Sequence, residues 1–123
     1  MRYLVLLKGV PTTTPPPAAL MEAIAKLGAE ATRSGALLDT AGLLPSAAGA
    51  RAELSGGKVS VTDGPFAEAK EMISYALYEV RSRDEAVEWT TRFLDLHRDL
   101  WAGWEGTADV LKVMGPEDFG PPA

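Results

Sequence analysis

The chain has no cysteine and a single histidine, His97, in 123 residues. The absence of cysteine excludes thiol catalysis, disulfide bonds and zinc–thiolate sites. No apolar run approaches the roughly 20 residues of a membrane-spanning helix, and the short apolar N-terminal run is more typical of a strand than of a signal peptide. Basic residues are scattered and the net charge is −5, which argues against a nucleic-acid partner. We therefore expect a cytoplasmic protein that binds neither membranes nor nucleic acids.

The remaining composition is typical of one soluble globular domain. Apolar residues make up 46% of the chain and charged residues 24%, and the length is sufficient for one hydrophobic core. We predict one domain over residues 1–114. Residues 115–123 are rich in proline and glycine, and we predict an irregular tail there in which Phe119 is the candidate for packing.

Apolar periodicity predicts the order strand, helix, hairpin, strand, helix, strand. The predicted strands are 3–7, 72–80 and 107–114, the helices run over 18–33 and from a capping box at Ser82 and Glu85 to about 98, and the hairpin covers 51–62 with its turn at Gly56-Gly57. Residues 36–38 and 42–45 are predicted to form an edge segment and a loop, separated by Asp39 and Thr40.

This order predicts a ferredoxin-like α+β domain, in which two βαβ-type halves place both helices on one face of the sheet. The strands at 3–7 and 72–80 are apolar on both faces, so the face without helices needs a cover. We expect a face-to-face homodimer to provide it, because an open sheet of that size exposes a large apolar patch. A pocket beneath the hairpin is a second structure that could bury part of this sheet face.

Charged residues concentrate in the signature segment, which we define as residues 63–71. Asp63 opens a turn that Gly64 and Pro65 fix, and its carboxylate either accepts backbone N–H groups of that turn or faces a pocket. In an extended chain Glu68 and Lys70 share one face, so we predict that they pair unless the segment forms a helical turn. The pair is either a surface ion pair or part of an anion-binding site, because a lysine between two carboxylates stays charged.

Four further residues are candidates for a site. His97 is either a general base, since its free pKa lies near neutrality, or a favourable charge at a helix end. Arg51 either binds a ligand anion or pairs across the hairpin. Trp101 and Trp104 either plug one end of the fold or line a pocket for an apolar ring. No His, Asp and Glu cluster has metal-ligand spacing, so we expect no metal and no cofactor.

The Asp63-Gly64-Pro65-Phe66 motif, followed by Glu68, Lys70 and Glu71, resembles the signature of YCII-related proteins of the DGPF type. Other parts of the chain also resemble the corresponding parts of that group's members: the Leu44-Pro45 dipeptide, His97, the loop 101–106 and the tail 115–120. The resemblance implies a ferredoxin-like fold that assembles into a dimeric α/β barrel.

The same resemblance implies a bacterial and largely uncharacterised group, with some members encoded near, or fused to, extracytoplasmic-function sigma factors. Some related YCII proteins look like enzymes that use a His–Asp pair, with the histidine near the first strand. This chain has no histidine there.

Two functional hypotheses follow, and the sequence leaves open whether the protein is an enzyme. The first is a small-molecule-binding or accessory protein, linked to a sigma-factor stress response. The second is a small cytoplasmic enzyme acting on an acidic or aromatic metabolite, with Lys70 holding the anion and Asp63 or His97 moving a proton. Convergence of these three side chains in one cleft favours the enzyme. The predicted ligand contacts are Arg51, Asp63, Glu68, Lys70, Trp101 and Trp104.

Overall fold

Residues 1–120, the part of the chain that the computed structural model describes, contain six strands and two α-helices. The strands are β1 (Arg2–Gly9), β2 (Leu37–Gly42), β3 (Ala50–Ser55), β4 (Lys58–Asp63), β5 (Glu71–Glu79) and β6 (Gly106–Lys112). The helices are α1 (Ala18–Arg33) and α2 (Arg83–Leu100), and short 3₁₀ turns cover Ser46–Ala48 and Pro116–Phe119. No helix in this part of the chain is long and apolar enough to cross a membrane.

Four strands form an antiparallel sheet in the order β2-β5-β1-β6. The connections β1-α1-β2 and β5-α2-β6 each skip one strand, so the two halves interleave. This α+β arrangement is compatible with the ferredoxin-like fold that the element order predicts. Strands β3 and β4 form a separate two-stranded sheet, the hairpin, inserted between β2 and β5.

The helices cover one face of the sheet, as predicted. On β1 the side chains of Tyr3, Val5 and Leu7 are buried, whereas Leu4 and Leu6 on the other face remain partly exposed. The core under the helices consists of Tyr3, Val5, Ala31, Ala36, Tyr78, Val80 and Ala86. The single chain therefore leaves an apolar sheet face open, because period-two alternation along β1 places leucines on both sides.

The N-terminus of α2 is capped by Ser82, whose Oγ accepts a hydrogen bond from the Glu85 N–H at 3.1 Å. The Glu85 carboxylate accepts from the backbone N–H of Arg81 at 3.0 Å instead of that of Ser82. The two helices are joined by an ion pair between Arg92 and Glu30, and the hydrogen bond from Arg92 lowers the pKa of the Glu30 carboxyl.

The edge strand β2 is longer than the sequence predicts. Asp39 and Thr40, which we expected to separate two pieces, lie inside it. Two polar contacts with β5 explain the difference: the Tyr75 hydroxyl donates to Asp39 Oδ2 at 2.9 Å, and Thr40 Oγ1 donates to the Tyr75 carbonyl at 2.8 Å. The hydrogen bond to Asp39, and next the charge of that carboxylate, raise the pKa of the Tyr75 hydroxyl.

The tail contains regular structure where the sequence predicts none. Pro116–Phe119 forms a 3₁₀ turn, and Asp118 Oδ2 accepts a hydrogen bond from the Gly115 N–H at 2.8 Å. The expected packing of Phe119 does not occur within the chain, because its side chain is 72% exposed. Strand β6 ends at Lys112, two residues before the predicted end. The predicted tail extends to residues 121–123, which lie outside the described residues.

Candidate functional site

The signature segment is anchored by Ser46, a residue that the sequence did not single out. Ser46 Oγ donates to Glu71 Oε1 at 2.7 Å and accepts from the Phe66 N–H at 2.9 Å. The Ser46 N–H donates to the same carboxylate oxygen at 3.3 Å. A side chain at Gly64 would overlap the Ser46 carbonyl, so only glycine permits this approach. Glu71 therefore has a structural role at the start of β5.

A second contact joins the signature segment to the hairpin. Arg51 forms an ion pair with Glu68, and its guanidinium carbon lies 4.1 Å from the centre of the Phe66 ring. The predicted pairing of Glu68 with Lys70 is therefore wrong. Residues 65–70 are irregular rather than extended, so strand alternation does not apply to them, and Arg51 is the nearer cation.

The remaining charged residues of the segment lie apart from these contacts. Asp63 ends β4, and within residues 1–120 its exposed carboxylate makes no hydrogen bond, so the expected turn contact is not formed. Lys70 lines an open recess of about 470 Å³, together with Arg98 and Glu105. The cation Arg98 is already paired with Asp95 and Asp99, on its own helix.

An apolar cavity of about 410 Å³ lies between the two helices and the sheet. Its walls come from α1, α2, the strands β1, β2 and β5, and the segments that follow β1 and α2. The lining residues are Leu7, Pro16, Leu20, Met21, Ile24, Thr40, Ala41, Gly42, Ile73, Ser74, Phe93, His97, Trp101 and Trp104. The two tryptophans also line the recess beside Lys70 and a third recess of about 270 Å³, so they stand between all three.

Two paired glycines fix the position of Trp104. Gly9 on β1 lies opposite Gly106 on β6. A side chain at Gly106 would collide with the indole, and one at Gly9 would collide with Ile73 and press on the indole. Glycine inside a strand often marks a close approach of this kind. The two glycines were the sequence signal for this packing, and the strand pairing that brings them together was not evident from the sequence.

The aromatic rings of α2 and the following loop form a continuous series. His97 lies 4.7 Å from Phe93 and 4.5 Å from Trp104 between ring centroids, and Trp104 lies 6.1 Å from Trp101 in a stacked arrangement. His97 is 5% exposed, and burial lowers its pKa, although a hydrogen bond to the Phe93 carbonyl acts in the opposite direction. The lowered pKa favours the neutral form of the imidazole.

The hydrogen bond of His97 also determines its tautomer. His97 Nδ1 lies 2.9 Å from the Phe93 carbonyl oxygen, which only accepts hydrogen bonds. The proton of the neutral ring consequently lies on Nδ1, and Nε2 is left as an acceptor.

The structure thus brings together His97, Trp101 and Trp104, and places Lys70 in a recess that shares the two tryptophans. It does not bring Arg51, Asp63 or Glu68 to this cavity. The opposite wall, formed by Leu20 and Ile24 of α1 and by β5, was not evident from the sequence, because its apolar residues look like ordinary core residues. Residues 1–120 contain no cluster of three or more His, Asp and Glu side chains that would hold a metal ion.

The family follows from comparison of the whole chain. A family model described as the YCII-related domain matches residues 1–96. The chain belongs to the YCII-related family. No curated protein matches the chain. The family match ends one residue before His97, so this histidine, Trp101 and Trp104 lie beyond it. The family match therefore does not assign a function to the cavity, whose function must be argued from the chemistry of its lining residues.

Proposed function

We propose that this protein binds a small, largely apolar molecule in the cavity between α1, α2 and the sheet. The observation that carries the proposal is the cavity itself, whose volume of about 410 Å³ falls within the usual range for small-molecule sites. Its wall combines many apolar side chains with a few polar groups, His97, Thr40 and Ser74. This combination is typical of sites that bury a ring and orient it with one or two hydrogen bonds.

Binding is favoured over catalysis by the separation of the candidate groups. An acid–base enzyme acting on an acidic metabolite needs Lys70 and Asp63 or His97 around one substrate. Asp63 lines neither the cavity nor the recess beside Lys70, and His97 lines the cavity but not that recess. A binding protein without a convergent catalytic set suits a sensory or accessory role, such as one in a sigma-factor stress response.

We further propose that the protein acts as a homodimer, with the open sheet face forming a dimeric barrel. Leu111 is 49% exposed on that face, and Leu4, Leu6 and Leu77 are only partly buried. A contiguous apolar face of this kind is uncommon on a monomeric protein and is typical of an interface. A second copy of the chain is the simplest partner that would bury this face, because a two-fold axis brings the same apolar surface of both copies together.

The hairpin supplies a second apolar surface for the same partner. Ala52 lies opposite Val61, and Leu54 opposite Val59, so these four side chains share one face of the hairpin. Leu54, Val59 and Val61 are each at least 67% exposed in the single chain. The other face carries polar residues, which suits a hairpin that lies against a partner with one side and meets water with the other.

A thermal-shift experiment tests the ligand-binding proposal. Para-propylphenol at about ten times its Kd should raise the free energy of unfolding by roughly 1.4 kcal/mol. Ile24→Trp, which fills the cavity from α1, should abolish the shift. The matched control is Ala25→Trp, which places the same side chain at an exposed position of α1 outside the cavity and should keep the shift. An equal shift in both variants would contradict the proposal.

A further inference from the structure

We propose that His97 Nε2 is the hydrogen-bond acceptor that selects the ligand, so that the cavity prefers neutral aromatic molecules carrying one hydroxyl or N–H donor. The inference rests on the proposed function and specifies the chemistry of the same cavity. It concerns a residue that lies beyond the YCII-related match.

The state of the imidazole is the first step. The Phe93 carbonyl fixes the proton on Nδ1, because a carbonyl oxygen offers only lone pairs. A neutral imidazole has one donor and one acceptor nitrogen, so Nε2 carries a lone pair. This atom makes no hydrogen bond with any residue that the structure describes.

The accessibility of Nε2 is the second step. His97 is 95% buried, yet within residues 1–120 no sealed side-chain nitrogen or oxygen lacks a hydrogen-bond partner. Nε2 is therefore an unpartnered atom that remains open to a neighbouring space. His97 lines the apolar cavity and none of the other described recesses, so in this inference the cavity is the space that Nε2 faces.

The surroundings of His97 define the rest of the ligand. The walls beside the imidazole are aromatic, with Phe93 at 4.7 Å and Trp104 at 4.5 Å between ring centroids. Aromatic rings favour edge and offset contacts with another ring. Among residues 1–120 no carboxylate and no cation lines the cavity, so a charged ligand would lose its hydration without compensation from these side chains.

The other polar groups of the wall are weaker candidates for this selection. Thr40 Oγ1 donates to the Tyr75 carbonyl and keeps its acceptor lone pairs, but Thr40 is exposed, so water competes with a ligand for them. Ser74, on β5 opposite Leu7, carries a hydroxyl that can donate or accept, so it does not discriminate between the two kinds of ligand. His97 Nε2 only accepts hydrogen bonds, so it favours ligands that carry a donor over ligands that do not.

Isothermal titration with three matched probes tests the inference. Para-propylphenol carries a donor, para-propylfluorobenzene has nearly the same shape without a donor, and para-propylbenzoate is an anion. In the wild-type protein we expect the phenol to bind more tightly than the benzoate. The affinity ratio of phenol to fluorobenzene should fall by about fivefold or more in His97→Phe, which keeps a ring and removes the acceptor.

The outcomes separate the inference from the proposed function. An unchanged phenol-to-fluorobenzene ratio in His97→Phe, a fall of the ratio only in Ser74→Ala, or tighter binding of the benzoate would each overturn the role of His97 while leaving a ligand site. Binding of none of the three probes would overturn the proposed function as well.

A second measurement covers the case in which His97→Phe does not fold. The side-chain ¹⁵N signals of wild-type His97 are unambiguous, because the chain has one histidine. Para-propylphenol should shift the Nε2 signal, and para-propylfluorobenzene should leave it in place. An unmoved Nε2 signal with saturating phenol would overturn the inference.

Discussion

The imidazole of His97 lies against the indole of Trp104, with 4.5 Å between their ring centroids and 38° between their planes. One ring belongs to α2 and the other to the loop that leads into β6. Trp104 in turn rests on the backbone of two strands at Gly9 and Gly106. This contact therefore connects the acceptor nitrogen of the cavity to the sheet. A substitution at His97 or at either glycine should therefore alter ligand binding.

The pH dependence of stability should report the burial of His97. Burial lowers its folded-state pKa below the ordinary value of 6.5, so the unfolded chain binds a proton that the folded chain rejects. The free energy of unfolding should be unaffected by this group above pH 6.5 and should fall as the pH drops from 6.5 towards the folded-state pKa. Nuclear magnetic resonance titration of the single histidine measures that pKa directly.

His97→Gln is the control for this effect, because glutamine does not titrate. Denaturant unfolding of this variant should lack the part of the slope that begins near pH 6.5. A wild-type His97 pKa at or above 6.5 would contradict the buried, neutral imidazole.

Substitution of Gly106, which lies beneath Trp104, should destabilise the protein. Gly106→Ala places a methyl group where the indole and the Lys8 carbonyl lie, so we expect a loss of about 1–3 kcal/mol in the free energy of unfolding. The displaced indole should also weaken binding of para-propylphenol. Denaturant unfolding and calorimetric titration measure the two effects.

The matched control is Gly28→Ala, in the interior of α1. A methyl group there meets only Leu37 at 4.0 Å, so the substitution should stabilise the protein by about 0.5–1 kcal/mol through helix propensity. Equal stability of Gly106→Ala and the wild type would show that Trp104 does not depend on the glycine pair.

The fold was largely predictable from the sequence, because its signals are local. The existence of α1 follows from apolar residues that recur at helical spacing between Leu20 and Ala31, and the cap of α2 follows from Ser82. The hairpin turn is also local, since Gly56 and Gly57 both adopt the positive φ that a two-residue turn requires.

The site was less predictable, because its contacts join residues that are far apart in the chain. The Arg51–Glu68 ion pair displaced the expected partner of Glu68, and Ser46 joins Glu71 from 25 residues away. The concentration of charged residues predicted a site at the signature segment. The cavity is instead lined by aromatic residues that come later in the chain than this segment. The sequence pointed to His97 and the two tryptophans, but only the tertiary packing places them on one wall.

The apolar face of the hairpin should control assembly. We expect Leu54→Asp to shift the protein from dimer to monomer at micromolar concentration, because a carboxylate would lie in the apolar interface that we propose. Sedimentation velocity measures the change. Ser60→Asp is the matched control, since Ser60 lies opposite Glu53 on the polar face of the same hairpin, and it should remain a dimer. A wild-type protein that sediments as a monomer would contradict the dimer.

The most direct test of the account locates a bound ligand. Crystals of the protein soaked with para-propylbromobenzene would reveal the bromine by anomalous scattering. The account predicts one strong peak between α1, α2 and the sheet, within contact distance of Ile24 and Trp104, and no peak there in Ile24→Trp. A bromine peak at the recess beside Lys70, or no peak in the cavity of crystals that diffract well, would contradict it.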